Sequence, residues 1–178
     1  VEGVPGEPVT LTDEVVEAIG AAFLLWCEQR LQTPACQLAI ALGHDSRVSA
    51  GRISAALERA FTRYGVHVLH CGLASTPSMF WATIDLPCHC SVQITASHHP
   101  YHRNGLKFFT PQGGLDGPDI VEILSLAQKG AHPQREAAGR AEPCGYMKDY
   151  AARLRRLIQE GVNAPDYQHP LAGVHIVV

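Results

Sequence analysis

The chain has no long apolar run. No stretch reaches the roughly 18 consecutive apolar residues that a spanning helix needs, so no membrane span is expected. It has no excess of positive charge either. Its 178 residues carry a formal net charge of -3, and the one basic cluster, Arg153, Arg155 and Arg156, falls inside a helical pattern that a solvated face explains. A broad nucleic-acid surface is therefore not expected. A basic-then-apolar signal pattern is missing from the N-terminus, and so is an initiator methionine; a processed chain, or one cut from something larger, is the expectation. The six cysteines, Cys27, Cys36, Cys71, Cys88, Cys90 and Cys144, lack regular spacing, and several lie in apolar runs. They read as free buried thiols of a reducing compartment rather than a disulfide framework.

What is present is a globular pattern, 46% hydrophobic. Thr12 caps a helix whose apolar face is Val15, Ile19, Ala22, Phe23 and Trp26. "CQLAIAL" (36–42) reads as a buried strand. Ser49 caps a second helix, with Ile53, Ala56, Leu57, Ala60, Phe61 and Tyr64 on one face and Gly65 at its end. "VHVLHC" (66–71) and "CSVQIT" (90–95) are further strands, and "GLKFF" (105–109) is a fourth, edge-like one. A helix follows near Asp119. Residues 129–145 are polar and contain Gly and Pro, as a linker would. One more amphipathic helix carries Met147, Tyr150, Leu154, Leu157 and Ile158, and "GVHIVV" (173–178) reads as a buried strand in need of a partner. Strand and helix alternate as in an α/β layer: a mixed sheet of about four strands sandwiched between helices.

In such sheets ligands lie beyond the carboxyl ends of strands. The loop after Thr95, "ASHHPYHRNG", has that position, which makes Ser97 a candidate reacting group. A serine hydrolase would want Gly-x-Ser-x-Gly, and Ser97 is flanked instead by Ala96 and His98. Zinc is the second option, from His98, His99 and His102 or from Cys88-His89-Cys90, but the spacing matches no Cys-x-x-Cys or His-Glu-x-x-His pattern. Phosphate chemistry fits better. Lys107, in the returning strand, can reach a phosphoryl group as an ammonium, His98 can donate to a phosphate oxygen or relay a proton, and Asn104-Gly105 allows the reversal. A polar surface loop with no chemistry is the competing reading.

"TASHHPYHRNGLKFF" closely resembles the phosphoserine loop of the α-D-phosphohexomutase family, Thr/Ser-Ala-Ser-His-Asn-Pro followed by Asn-Gly-x-Lys. Thr95, Ala96, Ser97, His98, Pro100, Asn104, Gly105 and Lys107 match, and His99 replaces the usual Asn. "ALGHDSRVSAG" resembles the family's Gly-Arg-Asp-Ser-Arg segment, with His44 in place of the first Arg and Asp45 and Arg47 retained. "VHVLHCGLASTPSMF" resembles the strand and Thr-Pro turn before the loop, with Thr76-Pro77. "EGVPGEPVTLTDEV" (2–15) resembles a plant and algal, often plastid-targeted, branch.

The resemblance implies domain I of a phosphohexomutase over residues 1–128, a linker at 129–145, and a truncated start of domain II at 146–178. It implies that Ser97 carries a phosphoryl group and exchanges it with a hexose monophosphate through a bisphosphate sugar, so interconverting the 1- and 6-phosphates. Ser97, His98 and Lys107 are then the catalytic residues. Asp45, Arg47, Asn104 and Gly105 support the loop. Mg2+ binds through the Ser97 phosphate, its carboxylate ligands coming from an Asp-Gly-Asp-x-Asp-Arg loop that this sequence does not contain. The sugar-selecting and phosphate-clamping segments are absent too, as is an Arg-Gly element expected before residue 1. Alone, the chain is expected to be inactive, its partner being the remaining mutase domains or another chain that covers residues 173–178. The alternative is a mutase-like module recruited into an assembly without chemistry. The implied compartment is the plastid stroma or the cytoplasm, the plastid being favoured by the branch resemblance.

Overall fold

The computed structural model describes residues 2, 4–175 and 177. Two compact units divide the chain, residues 1–144 and 145–178. In the first, the order is α1 (Asp13–Leu31), β1 (Ala39–His44), α2 (Ala50–Arg63), β2 (His67–Leu73), α3 (Thr76–Asp85), β3 (Cys90–Ile94), β4 (Leu106–Thr110), β5 (Gly113–Gly114), α4 (Gly117–Gln128) and β6 (Arg140–Pro143). One sheet forms, with strand order β5-β4-β3-β1-β2-β6. β1 lies parallel to β2 and β3, β6 lies parallel to β2, and β4 and β5 run antiparallel. The sheet has six strands where about four were expected. The stretch 129–145, expected as a linker, holds β6, which continues the sheet of the first unit.

Alternation along the strands makes two buried faces. Ile40, Leu42, Val68, Cys90, Val92 and Ile94 point to one side, into a core with Phe23, Leu24, Ile53, Leu57 and Phe61 from α1 and α2 and Ile123 from α4. Each large side chain sealed there contributes about 1.5–3 kcal/mol of transfer free energy. The opposite side is covered by α3. There Thr83 and Ser91 share a hydrogen bond, and the Ser91 hydroxyl also donates to the Met79 carbonyl. α3 approaches closely at Gly43: a Cβ added there would stand 2.5 Å from Met79 Sδ and 3.0 Å from Gln93 Oε1. Gly43→Ala is expected to destabilise the unit by about 1–3 kcal/mol, read as a lowered denaturation midpoint at unchanged slope.

Helix ends follow the sequence with one exception. Thr12 Oγ1 accepts from the Val15 amide, and Ser75 and Ser78 form a reciprocal capping box with Pro77 in the first turn of α3. Gly65 takes φ +85° after α2, as its place predicts. The exception is Ser49, which stands at the start of α2 without capping it.

Cys27 and Cys90 lie in the core with their sulfurs 3.6 Å apart, both fully buried. Burial, with Cys90 second, pushes the Cys27 thiol well above its usual range. These two thiols are expected to resist alkylation until global unfolding, a result that thiol labelling across a denaturant series would read.

The second unit is α5 (Tyr146–Val162) followed by turns, in which Gln159 donates to the Tyr167 carbonyl and Asp166 accepts from the Gln168 and His169 amides. The strand expected at 173–178 is not seen: residues 173–175 and 177 lie outside any strand and are exposed, and Ile176 and Val178 lie outside the described residues. No helix among the described residues is long and apolar enough to cross a membrane.

Candidate active site

The ends of β1 and β3 set the site. β1 delivers Asp45 and Arg47, β3 delivers Thr95, and the loop between β3 and β4 carries Ser97 outward. Asp45 is fixed first: its amide donates to the Ile94 carbonyl. Its Oδ1 accepts from the Arg47 amide (3.1 Å) and its Oδ2 from Arg47 Nε (2.9 Å) and from Thr95 Oγ1 (2.6 Å). Thr95 Oγ1 in turn accepts from the Ser97 amide at 2.9 Å.

Arg47 then gathers the loop. Nη2 donates to the Ser97 carbonyl (2.6 Å), and Nη1 donates to the carbonyls of Pro100 (2.6 Å) and Arg103 (2.9 Å). Its side chain is only 8% exposed. Bonds from a charged donor are roughly twice as strong as neutral ones, and three of them converge on one stretch of backbone.

The loop's return is held separately. Asn104 Oδ1 accepts from the Gly105 amide, and its Nδ2 donates to Ser49 Oγ at 3.0 Å. That explains the missing cap: the Ser49 hydroxyl faces the loop. The Gly105 carbonyl accepts from the Thr95 amide, and a Cβ at Gly105 would stand 3.1 Å from the Thr95 carbonyl. On the outer side of the loop, the Glu2 amide donates to the His102 carbonyl, while Arg52 binds Glu2, Asp13 and the Leu11 carbonyl.

This frame places Ser97 at φ +54°, the left-handed region that a non-glycine side chain adopts at a cost of about 1–2 kcal/mol. Its side chain is exposed and its hydroxyl has no hydrogen-bond partner among the described residues. A strained, exposed serine held by buried charge is the arrangement expected of a reacting group.

The expected residues divide into two sets. Asp45, Arg47, Asn104 and Gly105 join in one network around the loop. Ser97, His98 and Lys107 are not joined by hydrogen bonds. The His98 ring stacks on His99 with centroids 5.1 Å apart, and Lys107 is half-buried in β4, paired in register with Gln93. No hydrogen bond links His98 to Ser97, so the structure builds no serine–histidine dyad. Two residues were missed as parts of the site. Thr95 was seen as a motif letter and Ser49 as a helix cap, because side-chain bonds across about 50 residues leave no periodic trace.

Zinc finds no seat. His89 Nδ1 accepts from the Ala39 amide, Cys88 Sγ points to the Ala82 carbonyl, and Cys90 faces Cys27. Mg2+ would need free carboxylate oxygens near Ser97, yet both oxygens of Asp45 are taken by Arg47 and Thr95. Among the described residues no three of His, Cys, Asp or Glu form a group able to hold a metal ion. The residues present do not make a Mg2+ site.

Comparison with known proteins places the fold in a family. Residues 1–133 match the family described as phosphoglucomutase/phosphomannomutase, alpha/beta/alpha domain I. A phosphoglucomutase of Neisseria meningitidis serogroup B is 34% identical over 129 residues, 72% of this chain and 26% of the relative. A phosphoglucosamine mutase of Halorhodospira halophila is 34% identical over 154 residues, 86% of this chain and 33% of the relative. The chain thus spans about a quarter to a third of the length of these curated relatives. A crystal structure of a phosphoglucomutase/phosphomannomutase family protein from Burkholderia thailandensis superposes with a TM-score of 0.71 at 24% identity, covering 86% of this chain and 33% of that one, which speaks for the fold. With a matched domain of this extent and the motif residues wired around Ser97, the chain belongs to the phosphoglucomutase/phosphomannomutase family.

Proposed function

We propose that this chain is the phosphoserine-bearing part of an intramolecular phosphotransferase that interconverts hexose 1-phosphate and hexose 6-phosphate. The observation that carries the reading is Ser97: exposed, at φ +54°, with its carbonyl and amide both held and its hydroxyl free. In the proposed cycle the bond between phosphorus and Ser97 Oγ breaks as a bond to a sugar hydroxyl forms. The sugar hydroxyl loses its proton, and Ser97 Oγ gains one. The bisphosphate sugar turns and returns its other phosphoryl group to Ser97. His98, exposed at the loop crest, is the group proposed to carry the proton, and Lys107 the cation proposed to balance phosphoryl charge. Asp45, Arg47, Asn104 and Gly105 keep the loop in shape, so that catalysis rests on position and charge.

Mg2+, which the family resemblance implies, would find only a Ser97 phosphate oxygen among these residues, and no step above runs through it. The hexose phosphate and the remaining mutase segments are the proposed partners, and the chain by itself is proposed to be inactive. A plastid location, with the cytoplasm as alternative, rests on the resemblance of residues 2–15, and cell fractionation with blotting tests it.

The test is peptide mapping of the protein purified from its source. A gain of about 80 Da on the peptide containing Ser97, the mass of one phosphoryl group, is expected. A uniformly unmodified Ser97 that also takes up no label from a hexose 1,6-bisphosphate would favour a mutase-like module without chemistry.

A further inference from the structure

Four cysteines remain beside the Cys27–Cys90 pair: Cys36, which is exposed, and Cys71, Cys88 and Cys144. Cys71 is the extra residue of a bulge in the pairing of β1 with β2, where Leu42 pairs with His70 but Gly43 pairs with Gly72. A bulge re-aims the side chain that it inserts. On the other edge of β2, His70 pairs with Pro143 of β6, and the Cys144 amide donates to the His70 carbonyl at 2.6 Å. Cys144 is thus the next residue alongside Cys71 on adjacent parallel strands. Strands so paired run about 4.8 Å apart, inside the Cα separation that a disulfide spans. Cys144 is near enough to act on the Cys71 thiol, whose hydrogen bond goes to the Leu69 carbonyl at 3.8 Å.

We propose that Cys71 and Cys144 form a reversible disulfide site, oxidised by a hydroperoxide, that staples the edge strand β6 to β2. The two sulfurs differ in access. Cys144 is half-buried, whereas Cys71 is 6% exposed. Burial, together with Cys144 and Cys88, pushes the Cys71 thiol up to about 12. Cys144 therefore meets the oxidant, and Cys71 resolves the product.

In the first step the Cys144 thiolate attacks a peroxide oxygen. The O–O bond breaks, and hydroxide leaves and is protonated to water, leaving a sulfenic acid on Cys144. The Cys71 sulfur then attacks the Cys144 sulfur. An S–S bond forms, the S–O bond breaks, and the departing hydroxide takes up the proton that Cys71 releases. For hydrogen peroxide, two thiols and one peroxide become one disulfide and two waters, with two electrons passing from sulfur to oxygen. Adjacency of the two residues on neighbouring strands offsets the small thiolate fraction of Cys71.

β6 is the strand that such a bond would change most. All four of its residues are exposed, and β2 is its single neighbour in the sheet. Short exposed edges open at low free-energy cost. A covalent link at Cys144 would hold the end of the strand closed and release it on reduction.

The test uses the wild-type chain and hydrogen peroxide, followed by alkylation of the remaining thiols and mass mapping without reduction. One linked pair of peptides, Cys71 with Cys144, is expected, about 2 Da below the sum of the reduced peptides and separated again by dithiothreitol. Exchange of the Cys144 amide should slow about tenfold on oxidation. In Cys144→Ser the same dose should leave Cys71 reduced. A link from Cys144 to Cys88 overturns the proposal, as does a sulfinic acid on Cys144 without a link, retention of both thiols, or oxidation of Cys71 at an unchanged rate in Cys144→Ser.

Discussion

Replacing Arg47 with alanine should cut phosphoryl uptake at Ser97 by about 10²–10³-fold and lower stability by about 2–3 kcal/mol. The guanidinium holds Asp45 and three loop carbonyls at once, those of Ser97, Pro100 and Arg103. Without it the carbonyls turn to water, which limits the stability loss, but the loop no longer has one shape. A misplacement of about 1 Å at a reacting centre is enough to lose two orders of magnitude. Arg47→Lys should recover little of either, because one ammonium cannot present a fork to acceptors on separate residues. Labelled hexose 1,6-bisphosphate as donor, with the remaining mutase segments supplied, measures the first effect, and urea titration of the chain the second. An Arg47→Lys protein with near-native uptake would show that charge suffices and that the fork is incidental.

Substitutions at Ser97 itself should split activity from stability. Ser97→Ala and Ser97→Gly both remove the oxygen proposed to accept the phosphoryl group, so uptake should fall below detection, a loss of at least about 10⁴-fold. Their stabilities should differ. Alanine keeps a Cβ at φ +54°, whereas glycine adopts that region freely. Ser97→Gly is therefore expected to be about 1 kcal/mol more stable than Ser97→Ala, after its larger unfolded-state entropy is set against the relief of strain. Paired urea titrations decide it. Equal midpoints would mean that the loop relaxes around Ser97 and that the strain is not built in.

Much of the candidate site was readable because its residues are local in sequence. Asp45 and Arg47 lie two residues apart, and Ser97 through Lys107 form one segment, so the motif names its own members. What it could not show is which atoms meet. Ser49 resembles a helix cap in every local respect, yet its hydroxyl accepts from Asn104, 55 residues away. Thr95 looks like one more strand residue, although it joins Asp45 to the Ser97 amide. The two errors over strands have a common physical origin. β6, with the sequence Arg-Ala-Glu-Pro, has no apolar pattern, being held by ladder bonds to β2 and by His67 contacts to Glu142 and Arg140. Residues 173–178 have the pattern, but their described members lie in no ladder. Strand formation depends on a neighbour, and composition is silent about neighbours.

Arg47 holds the loop by its carbonyl oxygens, and every residue has one. The frame is therefore indifferent to the side chains at Pro100 and Arg103, and positions 98, 99 and 101 lie outside its side-chain contacts altogether. Mutational drift at these crest positions can change what the loop presents without changing the path it follows. The histidine at 99 stands where the motif that this loop resembles has asparagine. A library randomised at 98, 99 and 101 should therefore keep its fold in most members, and loss of phosphoryl transfer should follow loss of His98 alone, which separates the loop's path from what its crest carries.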